Sequence, residues 1–587
     1  MSTSPEPQVT ASDLGAHVIF ELPLSKACGK THMIDISPMA TDGRIRLVDC
    51  VALTTNNVLR IWEFPDSPLQ EYESFMCWPI LKYTAISYVW KGNPVTSEDE
   101  SSANLSSYLA IRGAEGSDPI SINVLRAVCT ASLRNDKIDF YRMISRAEYL
   151  WLDQLCIVQT RKSDKILQIP QMYRIYKCCT QCLILPGGLQ RLARLDEETS
   201  WASRAWTLQE CLAPLYPMVF FAWTIGTGRG IGTTLFRVRE VESTGGALAK
   251  LKDILRACYD KPMTFNAWPI DSSFQSYEHL DVVAKGTIID VRIFGKGHAD
   301  LYALERLRKR FQNNRESIHP YRTQRCYSLV WHCALMRTSS RPVDMVFSIM
   351  KLMGVELNPK DFQENDRIGA TIALMTKILE KGGSADWLGM PSKIPLCPQL
   401  STFPQFPRTD VSGGANYLVS GEWRSGRSLN DWICASPSWH HEKEWKWQRL
   451  HGRMSKDGYL MFLRKAYRVS FASAEAIDEC GYEWPLLGDM EGTLWQFQEE
   501  SDATLQDPLI MAVPLWEFQE IPLVNDYQIE DRQFEMQGIK FMIVKEHSAG
   551  KFHLISYCFT PDKENKWKER ILHWPNHRFK VGGPEPL

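Results

Sequence analysis

The chain has 587 residues, 44% hydrophobic and 23% charged, an ordinary globular composition that is long enough for two or more domains. Its 67 Lys and Arg nearly balance its 69 Asp and Glu, which excludes a global field able to recruit nucleic acid or an anionic membrane. Partners must therefore be read from local sites. Sixteen cysteines run from Cys28 to Cys558 and sit mostly in apolar runs such as Leu155-Cys156-Ile157, the pattern of reduced thiols used as small hydrophobes. A reducing, cytoplasmic setting with no structural zinc and no required disulfide is the expectation. The polar stretch Met1 to Asp13 does not support a secretory signal. The longest uncharged run, Cys211 to Gly228, is broken by Pro214, Pro217 and glycines, so no membrane span is expected.

In chain order, residues 1–45 read as a poorly ordered arm rich in Ser, Pro and Thr. Asp49 to Phe64 reads as extended structure. Tyr83 to Trp90 is a compact strand, and Leu125, Val128, Cys129 and Leu133 then recur at helical spacing. Tyr149 to Asp153 is a second strand. Ile169, Met172, Tyr173 and Tyr176 mark a helix in which Pro170 is tolerable only in the first turn. Cys182 to Leu185 is a third strand closed by Pro186-Gly187-Gly188, Ala205 to Leu212 a third helix, and Met218 to Trp223 a fourth strand. Apolar strands alternating with helices imply a parallel sheet covered on both faces, with its functional crevice at the strand carboxyl ends. Lys91, Gly92, Asp153, Gln154 and Gly187 are placed there.

Beyond this alternation, Leu304, Leu307 and Phe311 outline a basic amphipathic helix, with the Arg306 to Arg315 cluster read as its solvated face. Val343, Val346, Phe347 and Met350 outline another, ending at Gly354. Ile539 to Val544 and Phe552 to Phe559 read as a β-hairpin. Half of the twenty tryptophans follow Gly421, which points to aromatic core elements in the C-terminal region. The expected organisation is an arm (1–45), an α/β domain (46–240), a helical accessory region (241–420) and a β-rich aromatic region (421–587).

Several motifs fail on their chemistry. Gly29-Lys30-Thr31 lacks the leading glycine and strand of a phosphate-binding loop. Gly226, Gly228, Gly230 and Gly232 do not fit a dinucleotide fingerprint and read as a flexible loop. Cys179 and Cys182 have metal-ligand spacing without a second pair, so buried thiols are the better reading. Pro575 between His573 and His577 excludes the helix that a paired-histidine zinc motif needs, and His440-His441-Glu442 reads as surface. No metal ligand set is assigned.

Three blocks carry a resemblance. The segment from Tyr83 to Gly92 (YTAISYVWKG) resembles the opening block of the fungal heterokaryon incompatibility (HET) domain, and Tyr149 to Ile157 with Gln159 resembles its second. Arg204 to Glu210 (RAWTLQE) matches its third, in the same order and spacing, and Arg341 to Met350 looks like an accessory segment of such proteins. HET domains are in turn similar to TIR domains, in which a Trp-Cys-x-x-Glu motif supplies the glutamate of NAD-cleaving members. Trp206 to Glu210 keeps the Trp-to-Glu spacing, with Thr207 in place of Cys and no glycine of the mobile TIR loop after Asp153.

The resemblance implies a flavodoxin-like or TIR-like α/β fold, followed by a mixed α+β region with β-hairpins. It implies a regulatory effector of self/non-self or cell-death signalling, with Glu210 as the catalytic candidate for NAD hydrolysis. Trp90, Gly92, Asp153, Gln154 and Trp206 are the candidate ligand-binding residues. No cofactor is called for, because NAD would be the substrate. Protein partners or self-association are expected, with a nucleotide as candidate ligand and no nucleic acid. A non-catalytic module that signals by assembly is the principal alternative, and recruitment of the fold to an unrelated biosynthetic reaction a lower one. A Glu on a short helix is more often a surface residue, Asp153 equally suits capping of the next turn, and Trp90, Trp151 and Trp206 equally suit a core.

Overall fold

The computed structural model describes residues 10–27, 31–65, 69–71, 77–79, 81–95, 107–139, 142–232, 235–259, 261–267, 286–295, 327–389, 394–409, 414–419, 421–425, 433–435, 450–472, 486–489, 491–498, 508–521, 537–561 and 566–583, with scattered residues of 301–311. They fall into two compact units, Met1–Ile318 with Asn358–Lys360, and His319–Leu357 with Asp361–Leu587.

The first unit is built on one twelve-stranded sheet. In chain order its strands are β1 (His17–Pro23), β2 (Arg46–Asp49), β3 (Val58–Glu63), β4 (Tyr83–Tyr88), β5 (Tyr149–Trp151), β6 (Gln181–Leu185) and β7 (Pro217–Ala222), then β8 (Gly228–Ile231), β9 (Leu235–Val241), β10 (Gly246–Lys250), β11 (Met263–Ala267) and β12 (Thr287–Ile289). The spatial order is β1-β3-β2-β5-β4-β6-β7-β10-β9-β8-β11-β12. Only β5, β4, β6 and β7 run parallel, with Tyr149 opposite Tyr83, Leu185 opposite Tyr88 and Cys182 opposite Pro217. Every residue of β4 and β6 is buried, as continuous apolar strands covered on both faces must be. Each large aliphatic or aromatic side chain so buried contributes about 1.5–3 kcal/mol.

The sheet is mixed, where the sequence pattern implied a parallel one. Antiparallel β2 borders β5 on one side of the parallel block, and antiparallel β10 borders β7 on the other. Residues read as an arm include β1, which zips onto β3 with Leu22 opposite Leu59. The stretch read as extended is interrupted by helix α1 (Cys50–Thr55), because Asp49 accepts a hydrogen bond from the Ala52 amide at 2.8 Å and caps it. Of the four glycines read as a loop, Gly228 and Gly230 lie in β8, where a Cβ on Gly230 would meet the Phe236 ring at 2.0 Å, and Gly226 and Gly232 flank it. Strands β10, β11 and β12 continue the sheet beyond residue 240, so the expected boundary there does not separate the two units.

Helix α2 (Ile122–Ser132) begins at Ser121, whose hydroxyl accepts from the Val124 amide. Helix α3 (Lys162–Cys178) starts eight residues before Pro170 and holds that proline in its interior. Its Asp164, wholly buried, meets buried Arg46 at 3.0 Å, and Arg46 also reaches Glu63 at 2.9 Å and the Cys156 carbonyl at 3.0 Å. Asp164 accepts in addition from the Gly43 and Val158 amides. A buried charge cluster needs dense hydrogen bonding, and this one, in which only Glu63 Oε1 lacks a hydrogen-bond partner among the described residues, ties β2, β3 and α3 to the turn after β5. Helix α4 (Thr207–Leu212) leads into β7.

The second unit joins short helices to mostly antiparallel sheets. Asp344–Met350 is helical, and Gly354 follows with φ +68°, as expected. Helix α5 (Arg367–Glu380) starts at Asp366, which accepts from the Gly369 amide. A three-stranded sheet contains β13 (Arg408–Thr409), β14 (Ala415–Val419) and β15 (Glu422–Ser425). The expected hairpin is β16 (Gln537–Ser548) against β17 (Lys551–Pro561), at the centre of a ten-stranded sheet. Trp495, Trp567 and Trp574 pack with Phe541 in its core.

Candidate functional site

Strand β4 ends in Ser87 and Tyr88, and each engages a carboxylate. Ser87 Oγ donates to Glu210 Oε2 at 2.7 Å and accepts from Trp201 Nε1 at 2.9 Å. The first sequence block is thereby bonded to the third. Glu210 sits on α4 and is 6% exposed. Thr207 begins that helix, and its hydroxyl lies 2.8 Å from both the Trp201 and Arg204 carbonyls, so it anchors the helix start. At the other end, Arg308 Nη1 donates to the Cys211 carbonyl at 2.6 Å, placing a cation at the helix C-terminus. Arg308 is buried, contrary to the reading of its cluster as a solvated face. Leu304 and Leu307, both helical among the described residues of this stretch, are buried.

Tyr88 donates its hydroxyl to Asp153 Oδ1, and Trp90 Nε1 donates to Asp153 Oδ2 at 2.8 Å. Asp153 opens a helical turn, Asp153–Cys156, directly after β5. Its Oδ1 also accepts from the Gln154 amide at 2.7 Å, and its carbonyl accepts from Gln159 Nε2 at 2.9 Å. Both residues lie in the second block. Asp153 therefore supports its own turn and joins β5 to the loop after β4. Burial raises its pKa above the ordinary carboxylate value, against the lowering effect of its hydrogen bonds. Burial also pushes the Tyr88 hydroxyl well up, reinforced by the charges of Asp153 and Glu210. Tyr176, which donates to the Ile86 carbonyl at 2.7 Å, is raised by burial and by the same two carboxylates.

These contacts form two separate sets at the carboxyl end of β4, Glu210 with Ser87 and Trp201, and Asp153 with Tyr88 and Trp90, carried by adjacent residues whose side chains leave opposite faces of the strand. Of the residues singled out from the sequence, these contacts bring Asp153 and Trp90 together, and hold Glu210 on the neighbouring residue of β4. Gln154 is adjacent and 1% exposed, and neither side-chain amide atom has a hydrogen-bond partner among the described residues. Trp206 is the residue before α4 and remains partly exposed. Trp151 is core, 1% exposed and edge-on to Tyr176 at 5.4 Å. Gly92 serves loop packing: its amide donates to Asp118 Oδ2 at 2.7 Å, and a Cβ there would meet the Gly187 carbonyl oxygen at 2.0 Å. The Asn93 amide donates to that same carbonyl at 2.9 Å. The loops after β4 and β6 are thus held backbone to backbone.

Sequence reasoning did not assign Ser87, Tyr88, Trp201, Tyr176 or Asp118 to the site. Ser87 and Tyr88 stood inside the first block, and their position at the last turn of an apolar strand was the available signal. Nothing local marks the other three.

The described residues contain no group of three or more His, Cys, Asp or Glu able to hold a metal ion. Their ten free cysteines are all buried, including Cys179 and Cys182, and burial drives the Cys182 thiol well above its usual range. Cys178 is disulfide-bonded, which corrects the expectation of reduced thiols throughout; pairing is a three-dimensional property that spacing does not reveal. No described helix is long and apolar enough to cross a membrane. His440, His441 and Glu442 lie outside the described residues.

No curated protein and no solved structure matches the chain. A family model described as Heterokaryon incompatibility protein (HET) matches residues 83–194, from the first strand of the parallel block through the loop after the third.

Proposed function

We propose that this chain is a regulatory effector of heterokaryon incompatibility whose HET-type domain cleaves NAD at the carboxyl end of β4, beside Glu210. The HET match supports the role in incompatibility. The observation that carries the chemical reading is the 2.7 Å hydrogen bond by which Ser87 presents Glu210 at the carboxyl end of β4, one residue from the Tyr88 hydroxyl on Asp153. The order of the parallel strands, second-first-third-fourth, is that of flavodoxin-like sheets, whose ligands sit at this end.

In the proposed reaction the bond between nicotinamide N1 and ribose C1′ breaks, and nicotinamide leaves with the electron pair. Positive charge develops on the ribose. The Glu210 carboxylate stabilises it, and Ser87 fixes the carboxylate so that no reorganisation is needed in the transition state. Asp153 accepts from a ribose hydroxyl, and Trp90 and Trp206 offer partly exposed faces to a ring. Water adds to C1′ and releases a proton, giving ADP-ribose.

A second reading, a non-catalytic module that signals by assembly, is favoured by the burial of Glu210, which equally suits a carboxylate that only locks α4 to β4. Incubating full-length protein, concentrated enough to self-associate, with NAD separates the two. Nicotinamide release that falls by orders of magnitude in Glu210→Gln supports cleavage, and no release from the assembled wild type leaves the module.

A further inference from the structure

We propose that the outward face of β8, β9, β11 and β12, at one end of the large sheet of the first unit, docks on an anionic phospholipid surface. The proposal is independent of the NAD reading.

Cross-strand pairing fixes which residues share this face. Ile231 on β8 lies opposite Leu235 on β9 and opposite Thr264 on β11, and Thr264 lies opposite Ile288 on β12. Directly opposed residues point to the same side of a sheet, so these four form one row across the strands. Phe236, Val238, Met263 and Phe265 alternate with the row and are buried, which makes the row outward. Its three aliphatic members stand in water: Ile288 is 76% exposed, Leu235 52% and Ile231 43%. One exposed leucine is ordinary, but aliphatic side chains aligned across neighbouring strands make a patch.

Two residues back along the strands, about 7 Å away, a second row carries charge. Arg229 lies opposite Arg237 on one side and opposite Asn266 on the other. Like charges directly opposite each other destabilise a sheet. Neither guanidinium has an ion pair or hydrogen bond among the described residues. Glu240, on β9, falls by alternation on the inward face with Phe236 and Val238, so no carboxylate of these four strands shares the face with the two arginines. The opposed pair calls for an anionic occupant.

The order of groups along the strands matches the order across a bilayer surface. With the Ile231–Leu235 end leading, the aliphatic row reaches the acyl boundary while the arginines, set back from it, meet lipid phosphates. An acidic protein fits less well, because no outward position of these strands holds an aromatic anchor of the kind that dominates protein interfaces. Single-stranded nucleic acid would lack a stacking platform for the same reason. The chain has a formal net charge of -2, so binding rests on this local pair and needs a surface rich in anionic lipid.

The experiment is sedimentation of the full chain with sucrose-loaded vesicles, either of phosphatidylcholine alone or of equal parts phosphatidylcholine and phosphatidylserine. Binding to the serine-lipid vesicles is expected, weakened by salt, with little binding to the neutral ones. Arg237→Gln and Ile288→Ser, both at exposed positions, are each expected to lower the partition coefficient about fivefold. Arg237→Lys should retain most of it, since the charge is kept. Equal sedimentation with both kinds of vesicle, or sedimentation unchanged in both weakened variants, would overturn the proposal. So would protein left in the supernatant with the serine-lipid vesicles, in which case capture on polyglutamate resin that needs the same two residues would assign the face to an acidic protein.

Discussion

Ser87 Oγ and Glu210 Oε2 lie 2.7 Å apart although 123 positions separate them in the chain. The contact fastens α4 to the last residues of β4, and the same hydroxyl receives Trp201 Nε1. Ser87→Ala takes away the donor to a buried carboxylate and the acceptor of a buried indole. A loss of about 1–3 kcal/mol in stability is expected, read as a lower urea midpoint at unchanged slope. An unchanged midpoint would show that the bond does not hold the two elements together.

Gly92→Ala tests the packing of the two strand-end loops. The added methyl would stand 2.0 Å from the Gly187 carbonyl oxygen, so one loop must move. The expected cost is about 1–3 kcal/mol, with a local rise in hydrogen exchange at the Asn93 amide. Wild-type protection at that amide would contradict the packing.

In the second unit, buried His332 has its pKa lowered from 6.5 to about 4 by desolvation, and its Nε2 has no partner among the described residues. Between those values the unfolded chain binds a proton that the folded one refuses. Its contribution is therefore fully present above pH 6.5 and is lost as pH falls toward 4, with a slope on the order of 1 kcal/mol per pH unit. Denaturant unfolding of wild type and His332→Leu from neutral pH downward should show the difference between them shrinking on acidification. A difference constant with pH would mean that folding leaves the His332 pKa unshifted.

Much of the parallel block was legible because its signals are local. The apolar runs at Tyr83, Tyr149, Cys182 and Met218 became β4, β5, β6 and β7, and Asp153, which the alternation placed at a strand end, follows β5 directly; Glu210 was singled out by the resemblance alone. What the sequence hid depends on distant partners. Edge strand β1 exists because Leu22 and Phe20 find β3, and its Ser, Pro and Thr surroundings say nothing of that pairing. The helix around Pro170 extends back to Lys162 because Asp164 is drawn in by Arg46, a contact across 118 positions. Gly228 and Gly230 looked like loop residues, yet they clear space for Asn266 and Phe236 within a sheet. Trp201, which completes the Ser87 hydrogen bonds, lies outside all three blocks and acquires its role only through the fold.

In the proposed reaction Glu210 and Asp153 act on the nicotinamide ribosyl bond from the carboxyl end of the parallel block. The most direct measurement is the time course of nicotinamide and ADP-ribose formation from NAD by concentrated wild-type, Glu210→Gln and Asp153→Asn protein, each first shown to be folded. Equimolar products from the wild type are expected. Glu210→Gln should lower kcat by orders of magnitude with little change in KM, since charge stabilisation is used only in the transition state, whereas Asp153→Asn should chiefly raise KM. Wild-type turnover that Glu210→Gln leaves intact, or no turnover by the assembled wild type, would contradict the account.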